Sequence, residues 1–213
     1  EILTRYARQD IRFLLRQGAD VILAACGTVS SVVLDDIKSD FSIPLFGVVD
    51  ASVNAALAAT KNEKIGVIGT GATISSGAFA KKIAAANPHA AVTSIACPLF
   101  VPLVENGYIG RGCTVTREVA ADYLAPLRDE GIDTLILGCT HFPIIADIIG
   151  DLLPGVTLVN SGAAAAAEVA AVCGKTSGSG SASFFVSDSP VNFDTVARVF
   201  LGGETIRAQK VDI

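Results

Sequence analysis

Residues 134–141 read Thr134-Leu135-Ile136-Leu137-Gly138-Cys139-Thr140-His141, with a helix expected shortly after, over about 144–153. A short apolar run closed by glycine is a buried strand, and the cysteine, threonine and histidine then stand at the turn into the helix. The same order occurs upstream. Val21-Ile22-Leu23-Ala24-Ala25 runs into Cys26-Gly27-Thr28, with a helix expected over 29–37. Two strands that each deliver a Cys and then a Thr at a strand-to-helix turn point to two related halves, presenting one thiol apiece from equivalent positions.

Outward from these two turns the pattern repeats. Apolar runs at 43–48, 64–69, 91–96 and 156–159 alternate with helical periodicity at about 76–86, 115–130 and 163–173. Continuous rather than alternating apolar strands, separated by helices, mean parallel strands covered on both faces, an α/β protein. Such sheets place ligands at the C-terminal ends of their strands, where both cysteines stand. A Gly/Ser-rich stretch at 174–181 reads as a flexible loop, followed by a strand at 183–187 and a closing helix at 192–201. Residues 1–18 receive no element in this reading.

Composition narrows the function classes. At about 150 residues per domain, 213 residues make one to two domains. With 51% apolar and 17% charged residues there is ample core and too little charge for disorder. Mean hydropathy is +0.54, yet no run approaches the ~18 apolar residues of a membrane span. No charged segment leads into an apolar one at the start, so neither a secretory leader nor a membrane partner is expected. The net charge of −5, spread without a basic patch, argues against nucleic acid. Cys26, Cys97, Cys113, Cys139 and Cys173 are odd in number and form no CxxC pair, which reads as free thiols in a reducing cytoplasm. With only two histidines beside them, no metal site is expected. The absence of G-x-S-x-G removes the common serine-hydrolase reading. Gly69-Thr70-Gly71-Ala72-Thr73 lacks the G-x-G-x-x-G and P-loop patterns and reads as a tight strand-to-helix turn.

The two turn cysteines carry the chemistry. At a helix start a thiol meets unpaired N–H groups and the positive end of the helix dipole, which favour thiolate, and the same N–H groups can hold a carboxylate. Thr28 and Thr140 add hydroxyl donors. His141, two residues after Cys139, is placed either to assist proton transfer or to cap the helix start. Glu105 follows the Pro-containing segment 97–104 as a cleft-facing acid or an exposed helix-end charge. Cys97, Cys113 and Cys173 read as structural, and His89 as a solvated turn residue.

These residues resemble a known family. Ala24-Ala25-Cys26-Gly27-Thr28-Val29-Ser30-Ser31 resembles the first cysteine motif of the glutamate racemases, within the aspartate/glutamate racemase superfamily, and Leu137-Gly138-Cys139-Thr140-His141-Phe142-Pro143 resembles the second. Ile65-Gly66-Val67-Ile68-Gly69-Thr70 and the segment Cys97 to Gly107 match as well, so that the likeness spans nearly the whole chain. The resemblance implies two similar α/β domains with parallel sheets and an active site in the cleft between them: a discontinuous first domain, 1–50 plus 161–213, and a second, 51–160. It implies a cofactor-free racemase that supplies D-glutamate for peptidoglycan in the cytoplasm, with glutamate as its partner; a homodimer is one assembly open to it. Cys26 and Cys139 stand where the catalytic thiols stand, Glu105 and His141 where the residues assisting Cys139 stand, and Gly27, Thr28, Thr140 and His141 where substrate is bound.

Two departures qualify the match. The family usually has Asn at Gly27, so backbone N–H groups would replace a side-chain donor. On that reading Thr28→Ala weakens substrate binding more than Gly27→Asn does. The family's Asp-Ser-Gly and Pro-Tyr-Gly motifs are also absent. A missing βαβ unit of roughly 30 residues is the expected reason, leaving the first sheet without its first strand. The alternatives are an aspartate or hydantoin racemase of the same superfamily, and a non-catalytic small-molecule binder on the same fold.

Overall fold

The computed structural model describes residues 1–174, 180–204 and 206–213; residues 175–179, in the middle of the expected Gly/Ser-rich loop, lie outside the described residues. The chain opens with a helix that the strand-by-strand reading leaves blank, α1 (Ile2–Arg16). Its apolar stripe is narrow: Ala7 and Ile11 are buried and Leu14 and Leu15 half-buried beneath them, between Arg5, Arg8, Arg12 and Arg16. That spacing is helical, but the four arginines keep the segment from standing out as an apolar run.

Strand β1 (Ile22–Ala24) pairs in parallel with β2 (Leu45–Gly47), Ile22 opposite Leu45. The single helix expected between them is two, α2 (Gly27–Val32) and α3 (Leu34–Ile37), broken at Val33, whose φ of −128° leaves the helical range. The next helix, α4 (Val48–Ala59), is also unforeseen, because its Ala-rich sequence has little amphipathic contrast. It runs unbroken through residue 50, near the expected domain limit, and serves two cores. Val48 and Ala51 pack with Leu23, while Val49, Val53 and Ala56 pack on the larger sheet that follows.

That sheet contains β3 (Lys64–Gly69), β4 (Ala91–Ala96), β5 (Thr134–Leu137) and β6 (Thr157–Asn160) in the order β4-β3-β5-β6. Its connections run through α5 (Gly71–Ser76), α6 (Ala78–Ala86), α7 (Phe100–Glu105), α8 (Thr114–Asp129) and α9 (Ala146–Leu152). Alternation across the strands supplies two cores. Ile68, Leu135 and Leu137 face Phe100, Leu124 and Phe142, whereas Ile65, Val67 and Ile136 face α4 and α6 through Val53, Phe79 and Ile83. After β6 come α10 (Ser161–Cys173), β7 (Phe184–Val186), α11 (Pro190–Phe200) and β8 (Ala208–Lys210), with β7 parallel to β8. Every strand pairing among the described residues is parallel, as the apolar runs require. No helix among them is long and apolar enough to cross a membrane.

The end of the large sheet opposite the cysteines is held by one carboxylate. Asp133, just before β5, accepts hydrogen bonds from Thr60 Oγ1 at 2.7 Å, Lys61 N at 2.6 Å, Asn62 N at 2.8 Å and Thr134 Oγ1 at 2.9 Å. Partial burial pushes its pKa up, but these four donors outweigh burial and bring it down to about 2. A depressed carboxylate stabilises the fold above its unfolded pKa and loses that contribution as the pH falls. Asp133→Asn, whose amide would turn a donor toward these donors, is therefore expected to cost about 1 kcal/mol after solvent screening. In chemical denaturation the gap to wild type should stay constant above about pH 4 and close toward about pH 2. A gap independent of pH would remove this role.

Candidate active site

Cys26 sits at the C-terminal end of β1 as the residue that caps α2, and it is exposed. Ser30 fixes the turn behind it: its buried hydroxyl donates to Ala24 O at 2.8 Å and accepts from Val48 N at 3.1 Å. This joins the ends of β1 and β2 to the starts of α2 and α4. Cys139 lies at the matching end of β5. The Gly138 N–H donates to Ile68 O at 2.8 Å, carrying the β5 ladder one residue further, and Ser161 Oγ donates to Leu137 O at 2.6 Å. Ser161 thus braces the strand end, while Asn160 caps α10 through Ala163 N.

The two turns touch. A Cβ placed on Gly27 would overlap the carbonyl oxygen of Gly138, and one on Gly138 would lie 2.8 Å from Ile68 O. Glycine at 27 therefore permits the Cys26 turn to lie on the Cys139 turn, and glycine at 138 permits β5 to run close to Ile68 of β3. This overturns the expectation that Gly27→Asn is the milder change: the space an asparagine side chain needs is already filled by main chain. Sequence alone gives no sign of that neighbour, which lies more than a hundred residues away.

Around this contact the polar side chains form two groups. In the first, Thr28 Oγ1 lies 3.0 Å from Thr70 Oγ1 and 3.3 Å from Thr73 Oγ1, and those two are 3.0 Å apart. Thr70 also caps α5 by accepting from Thr73 N. The turn 69–73 is tight, as expected, but it also joins the site, and Thr70 and Thr73 are residues that the sequence reading passed over. The available signal was the threonine at a β-strand end, the same placement that singles out Thr28 and Thr140.

In the second group, His141 Nε2 lies 3.0 Å from Glu105 Oε1, and Nδ1 lies 3.1 Å from Thr140 Oγ1 and 3.8 Å from Cys139 Sγ. With Nε2–H donating to the Glu105 carboxylate, the neutral ring leaves an acceptor at Nδ1, facing the Thr140 hydroxyl and the Cys139 thiol. The pairing depends on the core. Phe100 of α7 and Phe142, next to His141, are both fully buried and meet edge to face at 5.1 Å. That ring contact sets α7 against the turn after β5, and Glu105 at the end of α7 then reaches the imidazole. Pro102 falls in the first turn of α7, where a missing N–H costs nothing, and Gly107 with φ of +79° ends it.

Electrostatics correct one expectation. Burial pushes the Cys139 thiol up; the His141 backbone N–H draws it down, the charge at Cys26 pushes it up again, the Thr140 hydroxyl lowers it and the Glu105 charge raises it. The net direction is upward, not toward the thiolate that the turn position suggested, because Cys139 is 8% exposed. Cys97, fully buried, is pushed up to about 12 by burial, and Cys113 is drawn down by its hydrogen bonds to Thr116. Brief iodoacetamide treatment of the folded protein should therefore label Cys26, Cys113 and Cys173 at least about tenfold faster than Cys139 and Cys97. Peptide mass mapping reads this order directly, and early labelling of Cys139 would contradict its burial.

Two cysteines thus stand at adjoining strand ends of a parallel α/β architecture. The family described as Asp/Glu/Hydantoin racemase matches residues 2–169, and the chain belongs to it. Among its relatives, a glutamate racemase of Geobacter metallireducens is 39% identical over 211 residues, covering 96% of this chain and 77% of the relative. One from Aquifex aeolicus is 39% identical over 204 residues, covering 96% and 78%. Among solved structures, a glutamate racemase isoform of Bacillus anthracis superposes with a TM-score of 0.91 at 31% identity, covering 99% of this chain and 80% of that one. A glutamate racemase of Francisella tularensis in complex with D-glutamate superposes with a TM-score of 0.89 at 32% identity, with the same coverage.

Proposed function

We propose that the chain is a glutamate racemase that interconverts L- and D-glutamate by two-base proton transfer between Cys26 and Cys139, without an organic cofactor. The observation that carries this reading is the contact of the two cysteine turns, Gly27 on Gly138, which brings the segments carrying Cys26 and Cys139 side by side. Racemisation takes the α-proton from one face of the substrate and returns a proton to the other. The reaction needs one thiolate and one thiol. In one direction the Cys26 thiolate removes the proton and the Cys139 thiol supplies one; in the other the roles exchange.

Negative charge develops at the α-carbon and its carboxylate as the proton leaves. The hydroxyls of Thr28, Thr70, Thr73 and Thr140, with the backbone N–H groups of both turns, are donors placed to receive it. His141, held by Glu105, is positioned to exchange a proton with Cys139 and so reset it for the next turnover. The product D-glutamate is a building block of peptidoglycan, and the free thiols fit a cytoplasmic enzyme.

Chiral chromatography of reaction mixtures begun with L-glutamate tests this reading. Approach to an equal mixture of enantiomers is expected, at a rate well above that with L-aspartate or a 5-substituted hydantoin. Faster turnover of either alternative would reassign the substrate within the family.

A further inference from the structure

Helix α11 has no task in the proton-transfer scheme, yet it ends against it. The Phe200 ring meets the His141 imidazole at 90°, centroids 5.0 Å apart. Both hydrogen-bond partners of His141, Glu105 at Nε2 and Thr140 at Nδ1, are exposed side chains. Exposed partners can turn away into solvent and leave the ring unanchored, and a perpendicular ring packed against the imidazole limits that movement. Phe200 also lines a cavity of about 320 Å³ together with Glu105, His141, Phe184 and Phe193, so a shorter side chain at 200 would enlarge the open space beside the imidazole. Phe200 is itself held, packing with Val199 on the core that contains Cys139, Phe100 and Phe142.

We infer that Phe200 is a positioning residue for the Cys139–His141–Glu105 chain, packing against the imidazole so that Nδ1 stays aimed at the thiol. The inference rests on the racemase reading for its kinetic consequence but not for its geometric one. Edge-to-face contacts favour this orientation beyond simple apolar packing, so an aliphatic side chain of similar size does not replace it.

The test compares Phe200→Leu, Phe200→Ala and Phe200→Tyr with wild type by two readouts. The first is kcat and KM for glutamate in both directions across pH. The second is the ¹⁵N NMR signal of the His141 ring, distinguished from that of His89. The Leu and Ala variants are expected to lower kcat about tenfold, a displaced catalytic group costing up to about a hundredfold. KM should stay within about twofold of wild type, the pH profile of kcat should change shape, and the single sharp tautomer signal of His141 should broaden. Tyr should keep both readouts near wild type. Leucine matching phenylalanine in kcat and in the NMR signal would overturn the inference, as would an effect confined to KM. If alanine fails to fold, leucine decides. If wild type does not racemise glutamate, the functional proposal fails and the NMR comparison still decides whether Phe200 holds the imidazole.

Discussion

Serine in place of Cys26 or of Cys139 is expected to lower glutamate racemisation by about 10³–10⁴-fold, with the fold intact. The exchange alters one atom. A serine hydroxyl is a far weaker acid than a thiol, so its conjugate base is scarcely populated near neutral pH, and loss of a positioned acid or base costs up to about four orders of magnitude. Both variants should fail alike, because each direction uses one residue as base and the other as acid. Stability should change little at exposed Cys26, and more at Cys139, where burial leaves the new hydroxyl in need of a partner. Steady-state rates paired with thermal denaturation separate the chemical loss from unfolding. Near-wild-type activity in either serine variant would remove that residue from the mechanism.

Gly27→Ala is expected to be strongly damaging although it touches no reactive atom. Its Cβ meets the Gly138 carbonyl oxygen, which belongs to main chain held by the β5 ladder and by Ser161. The side chain cannot rotate away, so one turn must move. Overpacking of this kind costs about 1–3 kcal/mol. Here the displacement also parts the two thiols, and a shift of about 1 Å between reacting groups costs about a hundredfold in rate. Gly27→Asn should be worse in both respects. Thr28→Ala, which removes a hydroxyl from the three-threonine cluster without moving backbone, should weaken KM more than it lowers kcat. Wild-type-like stability and rate in Gly27→Ala would mean that the turns do not press together in solution.

Much of this arrangement is legible in the sequence, because parallel strands buried in a sheet are continuous apolar runs. Those runs located β1 to β7, and Cys26-Gly27-Thr28 and Gly138-Cys139-Thr140 marked the two cysteine turns. Less legible were elements whose burial rests on few residues. Helix α1 hides two buried positions among four arginines, and α4 is too uniformly apolar to declare a face. Pairs joined only by folding were harder still. Glu105 and His141 lie 36 residues apart, and their 3.0 Å contact depends on the Phe100–Phe142 packing. Thr70 and Thr73 join Thr28 only because β3 and β1 end at the same place. The upward direction of the Cys139 thiol reflects burial, which the turn position alone does not report.

Solvent deuterium incorporation at the α-carbon, from pure L- or pure D-glutamate, tests the central claim of one thiol on each face most directly. Wild type should incorporate deuterium into product from either enantiomer. In Cys26→Ser and Cys139→Ser, where racemisation is lost, the surviving thiol can still act on the enantiomer whose α-hydrogen it faces. Residual exchange should then be confined to one enantiomer, and that enantiomer should switch between the two variants. Exchange from both enantiomers in both variants, or none from either in wild type, would contradict the assignment of Cys26 and Cys139 as the two bases.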